Sequence, residues 1–307
     1  TIEMSDGADS LTAVDAKAAS LLGGTENDTF NFTGKVKDSS VVGGFGVDSL
    51  VLGDAAADFV SGSTVYGGSP TDGGSALDGA DYISVAGSLS SSAIYGNSGA
   101  DSLLVGGNAT AASLFGGADN DLVSVSANVS AGQIFTGSGV DSVIITGSLV
   151  GAATVRLDNS GASEEAADSI TIGNISSGVI YGESGADSFN ISGDARTASL
   201  YGGAQNDSVT IGGSLISALL EGDDGADSFK LANVTSSTIT GGADADFVSA
   251  TGLVSAGVLY GNSGNDSIEI VGAVTSTSVY GGAGNDSLTI GGAANTLTYE
   301  GGTGADT

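Results

Sequence analysis

An all-β solenoid, a parallel β-helix or β-roll of about 15 coils of ~20 residues, is the fold this sequence predicts. Three observations predict it. Aspartates recur at a near-constant spacing along all 307 residues. Apolar residues follow each of them with period two, the pattern of a strand with one buried face. Glycine supplies 53 residues and proline one, which suits short strands joined by tight turns and opposes long helices.

The recurring aspartates, the anchors of the repeat, are Asp9, Asp28, Asp48, Asp81, Asp101, Asp121, Asp141, Asp168, Asp187, Asp207, Asp227, Asp246, Asp266, Asp286 and Asp306. Of their 14 intervals, nine are 20 residues, three are 19, and the other two are 33 and 27. The long intervals equal one repeat plus an insertion, expected near residues 69–78 and 158–166, with a smaller one near 54–57. Nothing marks a linker, so residues 1–307 read as a single continuous solenoid. The array starts and stops in phase, as expected of a fragment of a longer repeat protein.

Each repeat has the same interior. Two and four residues after the anchor stand apolar residues such as Leu103 and Val105, or Phe189 and Ile191, with a polar residue between them. Seven residues before the next anchor comes a second apolar position: Ile94, Leu114, Ile134, Leu200, Leu220. Two residues earlier the chain is small, as at Ser92, Ala112 and Ala198. This predicts two short strands per repeat, each with one face inward. Such a pair cannot bury its apolar face alone, but coils stacked in parallel ladders share one core. Sandwiches and propellers need longer repeats and are disfavoured. Tyr95, Phe115, Phe135, Tyr181, Tyr201, Tyr260 and Tyr280 stand six residues before their anchors, outward by parity, and predict a stacked aromatic ladder.

Composition excludes many functions. The chain has no Cys and no His, which removes zinc, haem and iron–sulfur sites and the Ser-His-Asp and Cys-His nucleophiles. With 36 acidic against 6 basic residues, its net charge of −30 excludes binding to a phosphate backbone. No apolar run reaches the ~20 residues of a membrane span. At 40% apolar residues and positive mean hydropathy the chain is not disordered.

The segment before each anchor is glycine-rich: Gly281-Gly282-Ala283-Gly284-Asn285-Asp286, Gly202-Gly203-Ala204-Gln205-Asn206-Asp207, Gly301-Gly302-Thr303-Gly304-Ala305-Asp306. These copies resemble the RTX calcium-binding repeat, G-G-x-G-x-D-x-U-x with U large and apolar. The resemblance implies several calcium ions, on the order of ten, held by glycine-rich turns. The expected ligands are Asp28, Asp48, Asp81, Asp101, Asp121, Asp141, Asp168, Asp187, Asp207, Asp227, Asp246, Asp266, Asp286 and Asp306.

Electrostatics supports the same reading. Stacking places the anchors about 4.8 Å apart. Adjacent carboxylates then repel by ~1 kcal/mol even at water's dielectric. Hard divalent cations between rungs turn that repulsion into attraction, and calcium accepts carboxylate and carbonyl oxygens in loose geometry. The opposite turn, Gly87-Ser88-Leu89-Ser90-Ser91 for example, lacks a regular Asp. This departure from the family's pattern puts calcium on one edge only.

The function expected is structural: a calcium-dependent stretch of a secreted or cell-surface protein, such as a surface layer, extracellular filament or adhesin stalk. Its expected partners are calcium and copies of itself or other components of such an assembly, with no nucleic acid and no membrane insertion. A ligand-binding module for ice or carbohydrate is the alternative. Ice matching needs a regular outward row, and here the row mixes Ser98, Ala118, Ser138, Ala204, Asp224 and Ala283. An enzyme is not expected, because none of Lys17, Lys35, Lys37, Arg156, Arg196 and Lys230 recurs at a repeat position.

Overall fold

The computed structural model describes residues 1–70, 78–158 and 166–307. The chain divides into two compact units, Thr1–Ala162 and Ser163–Thr307. Each is an all-β parallel solenoid, with about 14 turns in total and no helix among the described residues.

In the first unit one coil comprises strands Ser102–Val105, Ala109–Thr110 and Ser113–Ala118. The next repeats it with Leu122–Val125, Val129–Ser130 and Gln133–Ser138. In the second unit Ser188–Ile191, Ala195–Arg196 and Ala198–Ala204 form the corresponding coil. Register advances by one repeat per ladder. Leu103 pairs with Val123 and Val123 with Val143, all parallel. Phe189 pairs with Val209 and Val209 with Phe229 in the same manner. The inward positions named above are buried, and Phe30, Phe32, Phe189 and Phe229 are the largest fully buried side chains. Each buried Leu, Val or Phe contributes roughly 1.5–3 kcal/mol.

The coil has three strands where the sequence pattern predicts two. The added strand lies in the middle and is often two residues long. It contributes one inward residue: Leu89, Ala109, Val129 and Leu149 in the first unit, Leu215, Val234, Val254 and Val274 in the second. A single apolar residue among Gly, Ser and Ala has no period, so the pattern does not reveal it.

A corner follows the middle strand. Ala111, Ala131, Thr197 and Ser217 take φ of 47°, 49°, 48° and 50° there, a left-handed conformation that costs non-glycine residues roughly 1–2 kcal/mol. The ladder compensates: Ala111 N–H donates to the Ser130 carbonyl at 2.8 Å, and Thr197 N–H to the Ile216 carbonyl at 3.0 Å.

The aromatic row forms as expected. Tyr66–Tyr95, Tyr95–Phe115 and Phe115–Phe135 stack with centroids 4.8, 4.6 and 5.4 Å apart in the first unit. Tyr181–Tyr201 and Tyr260–Tyr280 stack at 5.1 Å in the second. The small insertion at 54–57 is closed by Asp58, whose carboxylate accepts from the N–H groups of Asp54 and Ala55 at 3.2 and 3.0 Å. Residues 71–77 and 159–165, most of the two long insertions, lie outside the described residues. Asp158, expected at the edge of an insertion, ends strand Ala153–Asp158 in register with Gly137 and is 1% exposed.

Candidate cation sites along one turn

All the anchors from Asp28 to Asp286 are buried, each 1–3% exposed, and Asp306 is half-buried. Their positions follow from the coil. Each stands at the end of the glycine-rich turn, just before the strand that carries the period-two pattern, and its side chain turns inward. The Oδ1 of each anchor accepts the N–H of the anchor one coil earlier. In the first unit Asp28 accepts from Asp9 at 2.8 Å, Asp48 from Asp28 at 2.7 Å, Asp81 from Asp48 at 2.6 Å and Asp101 from Asp81 at 2.7 Å. Asp121 and Asp141 continue the column at 2.8 and 2.7 Å. In the second unit the column runs from Asp168 through Asp187, Asp207, Asp227, Asp246, Asp266 and Asp286 to Asp306, at 2.8–3.0 Å with one step of 2.7 Å.

The second carboxylate oxygen is the unusual atom. The Oδ2 of Asp28, Asp48, Asp81, Asp101 and Asp121 in the first unit is buried without a hydrogen-bond partner. The same holds for Asp207, Asp227, Asp246, Asp266 and Asp286 in the second. Burying an unsatisfied charged oxygen is costly and is rarely left uncompensated.

Each such oxygen lies against the first glycine of its turn, beside a carbonyl of the following coil. A Cβ on Gly96 would collide with Asp101 Oδ2 and the Gly116 carbonyl oxygen. A Cβ on Gly202 would meet Asp207 Oδ2 and the Gly222 carbonyl oxygen. Glycine is required at these positions by close approach, not only by turn conformation. Carbonyls presented by the glycine-rich turn are expected from the sequence; which carbonyl meets which anchor oxygen is not. The only signal for them was the repeated first glycine of the motif.

Two adjacent coils depart from this arrangement. Thr136 and Leu157, opposite each other in the ladder and fully buried, stand where other described coils have that glycine, and the Thr136 hydroxyl is hydrogen-bonded to the Leu157 carbonyl and to Asp141.

Burial raises the carboxyls of Asp28, Asp48, Asp81, Asp101, Asp121, Asp141, Asp207, Asp227, Asp246 and Asp266 above the usual carboxylate range. It is the largest cause for each of these, opposed by the neighbouring anchor's N–H and, except at Asp141, reinforced by nearby carboxylates. Asp101 is pushed up to about 9, Asp81 and Asp121 to about 8. Asp48, Asp207 and Asp246 reach about 7, and Asp227 about 6. Protonation or a bound cation would each relieve the column.

Among the described residues, no three carboxylates converge on one point. A cation here would be held by one carboxylate oxygen per coil together with backbone carbonyls. That all-oxygen set fits a hard ion such as calcium and excludes soft-metal chemistry. Asp119, Asp223, Asp224 and Asp244, the additional acids near the turns, are exposed and stand outside this arrangement.

No protein-family model matches the chain, and no curated protein matches it. Its fold is that of a parallel β-helix. It is similar to a hyperactive, Ca2+-dependent, β-helical antifreeze protein from an Antarctic bacterium, with a TM-score of 0.61 and 24% identity over 91% of this chain and 83% of that one. The likeness is one of fold. A TibC-catalyzed hyper-glycosylated TibA fragment aligns over 97% of this chain and 96% of its own at 19% identity, but its TM-score of 0.35 is too low to bear on the fold.

Proposed function

We propose that the chain is a calcium-stiffened structural stretch of a secreted or cell-surface protein, of the kind that builds a surface layer, an extracellular filament or an adhesin stalk. The observation that carries this reading is the column of buried Asp Oδ2 atoms without hydrogen-bond partners, most of them beside a backbone carbonyl of the following coil, as Asp101 is beside Gly116 and Asp121 beside Thr136. Calcium takes 6–8 oxygens at loose geometry, so a repeated pair of carboxylate and carbonyl supplies the core of a site and water the remainder. The similarity in fold to a Ca2+-dependent β-helix and the resemblance of the turns to the RTX repeat support the same assignment. Millimolar extracellular calcium would keep even weak sites filled.

The row beside these turns, Ser98, Ala118 and Ser138 in one unit, Ala204, Asp224, Ala243 and Ser263 in the other, is mixed in residue type and buried at Ser98, and so lacks the regularity that ice binding requires. Structural service is therefore preferred over the antifreeze activity of the fold neighbour, and over catalysis.

Equilibrium dialysis against calcium, followed by circular dichroism, tests the proposal. Binding of several ions per chain, on the order of ten, with a gain in strand signal, supports it. Absence of saturable binding at millimolar calcium, with an unchanged spectrum, rejects it.

A further inference from the structure

The chain has only 6 basic residues against 36 acidic ones, yet three of the six lie together. Lys17 and Lys37 are direct partners on adjacent parallel strands of the first unit. Lys35 stands two residues before Lys37, and its Nζ lies 5.2 Å from the centroid of the Phe59 ring. All three lysines are exposed. With Asp15 and Phe59 they line a shallow depression.

Like charges directly opposite on neighbouring strands are destabilising. A chain with six acids for each base could easily neutralise this pair within its own fold, and it does not. Among the described residues neither Lys17 nor Lys35 has a carboxylate within ion-pair distance, and Lys37 reaches only Asp38, at 4.0 Å with both groups half-exposed. Arg196 shows the contrast, paired with Asp194 on its own face at 2.7 Å. The lysines, three against Asp15 and Asp38, thus form a patch of net positive charge on a protein of net charge −30.

We infer that the Lys17–Lys35–Lys37 patch is a docking surface for the carboxylate-bearing surface of a second copy of this chain. Charge complementarity selects the occupant: the molecule's own surface is acidic almost everywhere else, so a second copy carries an abundance of matching groups. Both surfaces are also written on parallel ladders with one coil spacing, so lysines one rung apart meet carboxylates at a comparable interval. The second unit offers an acceptor of opposite character. Glu221, Asp223 and Asp224 lie together there on strand Leu219–Asp224, Asp223 and Asp224 exposed. A lysine patch meeting such a surface joins two different faces, a heterologous contact that propagates as an open assembly.

Charge reversal tests this without disturbing the core, since all the residues changed are at the surface. Light scattering at low and high salt would be measured on the wild type, on K17E/K35E/K37E and on E221K/D223K/D224K, each shown by circular dichroism to retain its strand spectrum. The expected result is concentration-dependent, salt-sensitive association of the wild type. The triple lysine variant should lose at least tenfold in association constant, and a mixture of the two reversed variants should recover it. A wild type that stays monomeric at every concentration and low salt overturns the inference. So does a lysine variant that associates as well as the wild type. Capture of dextran sulfate by the lysines in a strictly monomeric wild type also overturns it, reassigning the patch to a polyanionic glycan. The three lysines are separate from the anchor column, so the calcium stoichiometry of K17E/K35E/K37E by dialysis reports independently on the proposed function.

Discussion

Two turns of the same coil meet the same requirement by different means. At the turn before the middle strand, the N–H of one coil is capped by the side chain of its neighbour. Asn128 N–H donates to Asn108 at 3.1 Å and Ser148 N–H to Asn128 at 2.8 Å in the first unit. Asp194 N–H donates to Asn174 at 3.0 Å and Leu253 N–H to Asn233 at 3.0 Å in the second. At these positions an amide oxygen performs the task with no charge, and where Asp15 and Asp194 take the same place for Lys35 and Ser214 N–H they are not buried. At the anchor position itself the acceptor is always a buried Asp up to Asp286, although Oδ1 does the work an Asn oxygen could do. The second oxygen then remains, buried and charged. For folding alone that charge is a liability. The proposed cation accounts for that difference: it would occupy the anchor turn, whereas the amide turn leaves no buried charge to compensate.

The largest test of the comparison is removal of the cation. Chelation at pH 8 should unfold or loosen the chain, because ten or more buried carboxylates then lack compensation while the amide turns lose nothing. Loss of the strand spectrum and a large fall in Tm on adding chelator would be the readout.

Next in size is the pH response. Asp48, Asp81, Asp101, Asp121, Asp207, Asp227 and Asp246 have folded values from about 6 at Asp227 to about 9 at Asp101, above the unfolded value near 3.8. The folded state therefore binds more protons. Without calcium, stability is greatest below about pH 4 and is lost as pH rises through 6 to 9. In millimolar calcium the slope over that window should reverse, since cations displace the protons. Melting curves from pH 4 to 9, with and without chelator, measure both slopes.

Asp101→Asn converts one anchor into the amide solution. It keeps the acceptor for the Asp81 N–H and removes the charge. Tm should rise in chelator and fall in calcium, with stability changes of roughly 1–3 kcal/mol and lower calcium stoichiometry. Phe115→Ala, which removes two stacked contacts from the outward ladder, should cost about 1–3 kcal/mol with or without calcium. Thr136→Gly should have the smallest effect on stability. It restores the glycine found in other coils and should raise the number of calcium ions bound.

Much of this was legible in the amino-acid sequence. The anchor period, the two inward positions after each anchor and the outward aromatic row all depend on spacing, and stacking copies spacing directly into ladders. The middle strand was not legible, because Ala109 or Val129 alone between small residues carries no periodic signal. The pairing of glycine carbonyls with anchor oxygens was hidden for another reason. Every residue has a carbonyl, so only coordinates show that those of Gly116 and Gly222 face the next anchor oxygen. Thr136 is visible as a break in the motif, but its bond to the Leu157 carbonyl joins residues 21 apart and needs the fold. Pairing of Lys17 with Lys37 likewise follows from register, not composition.

The central claim is that the anchor carboxylates hold cations and the amide turns do not. Anomalous diffraction from crystals grown in calcium tests it most directly. The account predicts difference peaks beside Asp101, Asp121, Asp207 and Asp266 Oδ2, each with a glycine or threonine carbonyl in the same shell, and none beside Asn108, Asn128 or Asn233. Empty anchor turns in millimolar calcium, or peaks on both turns, would contradict it.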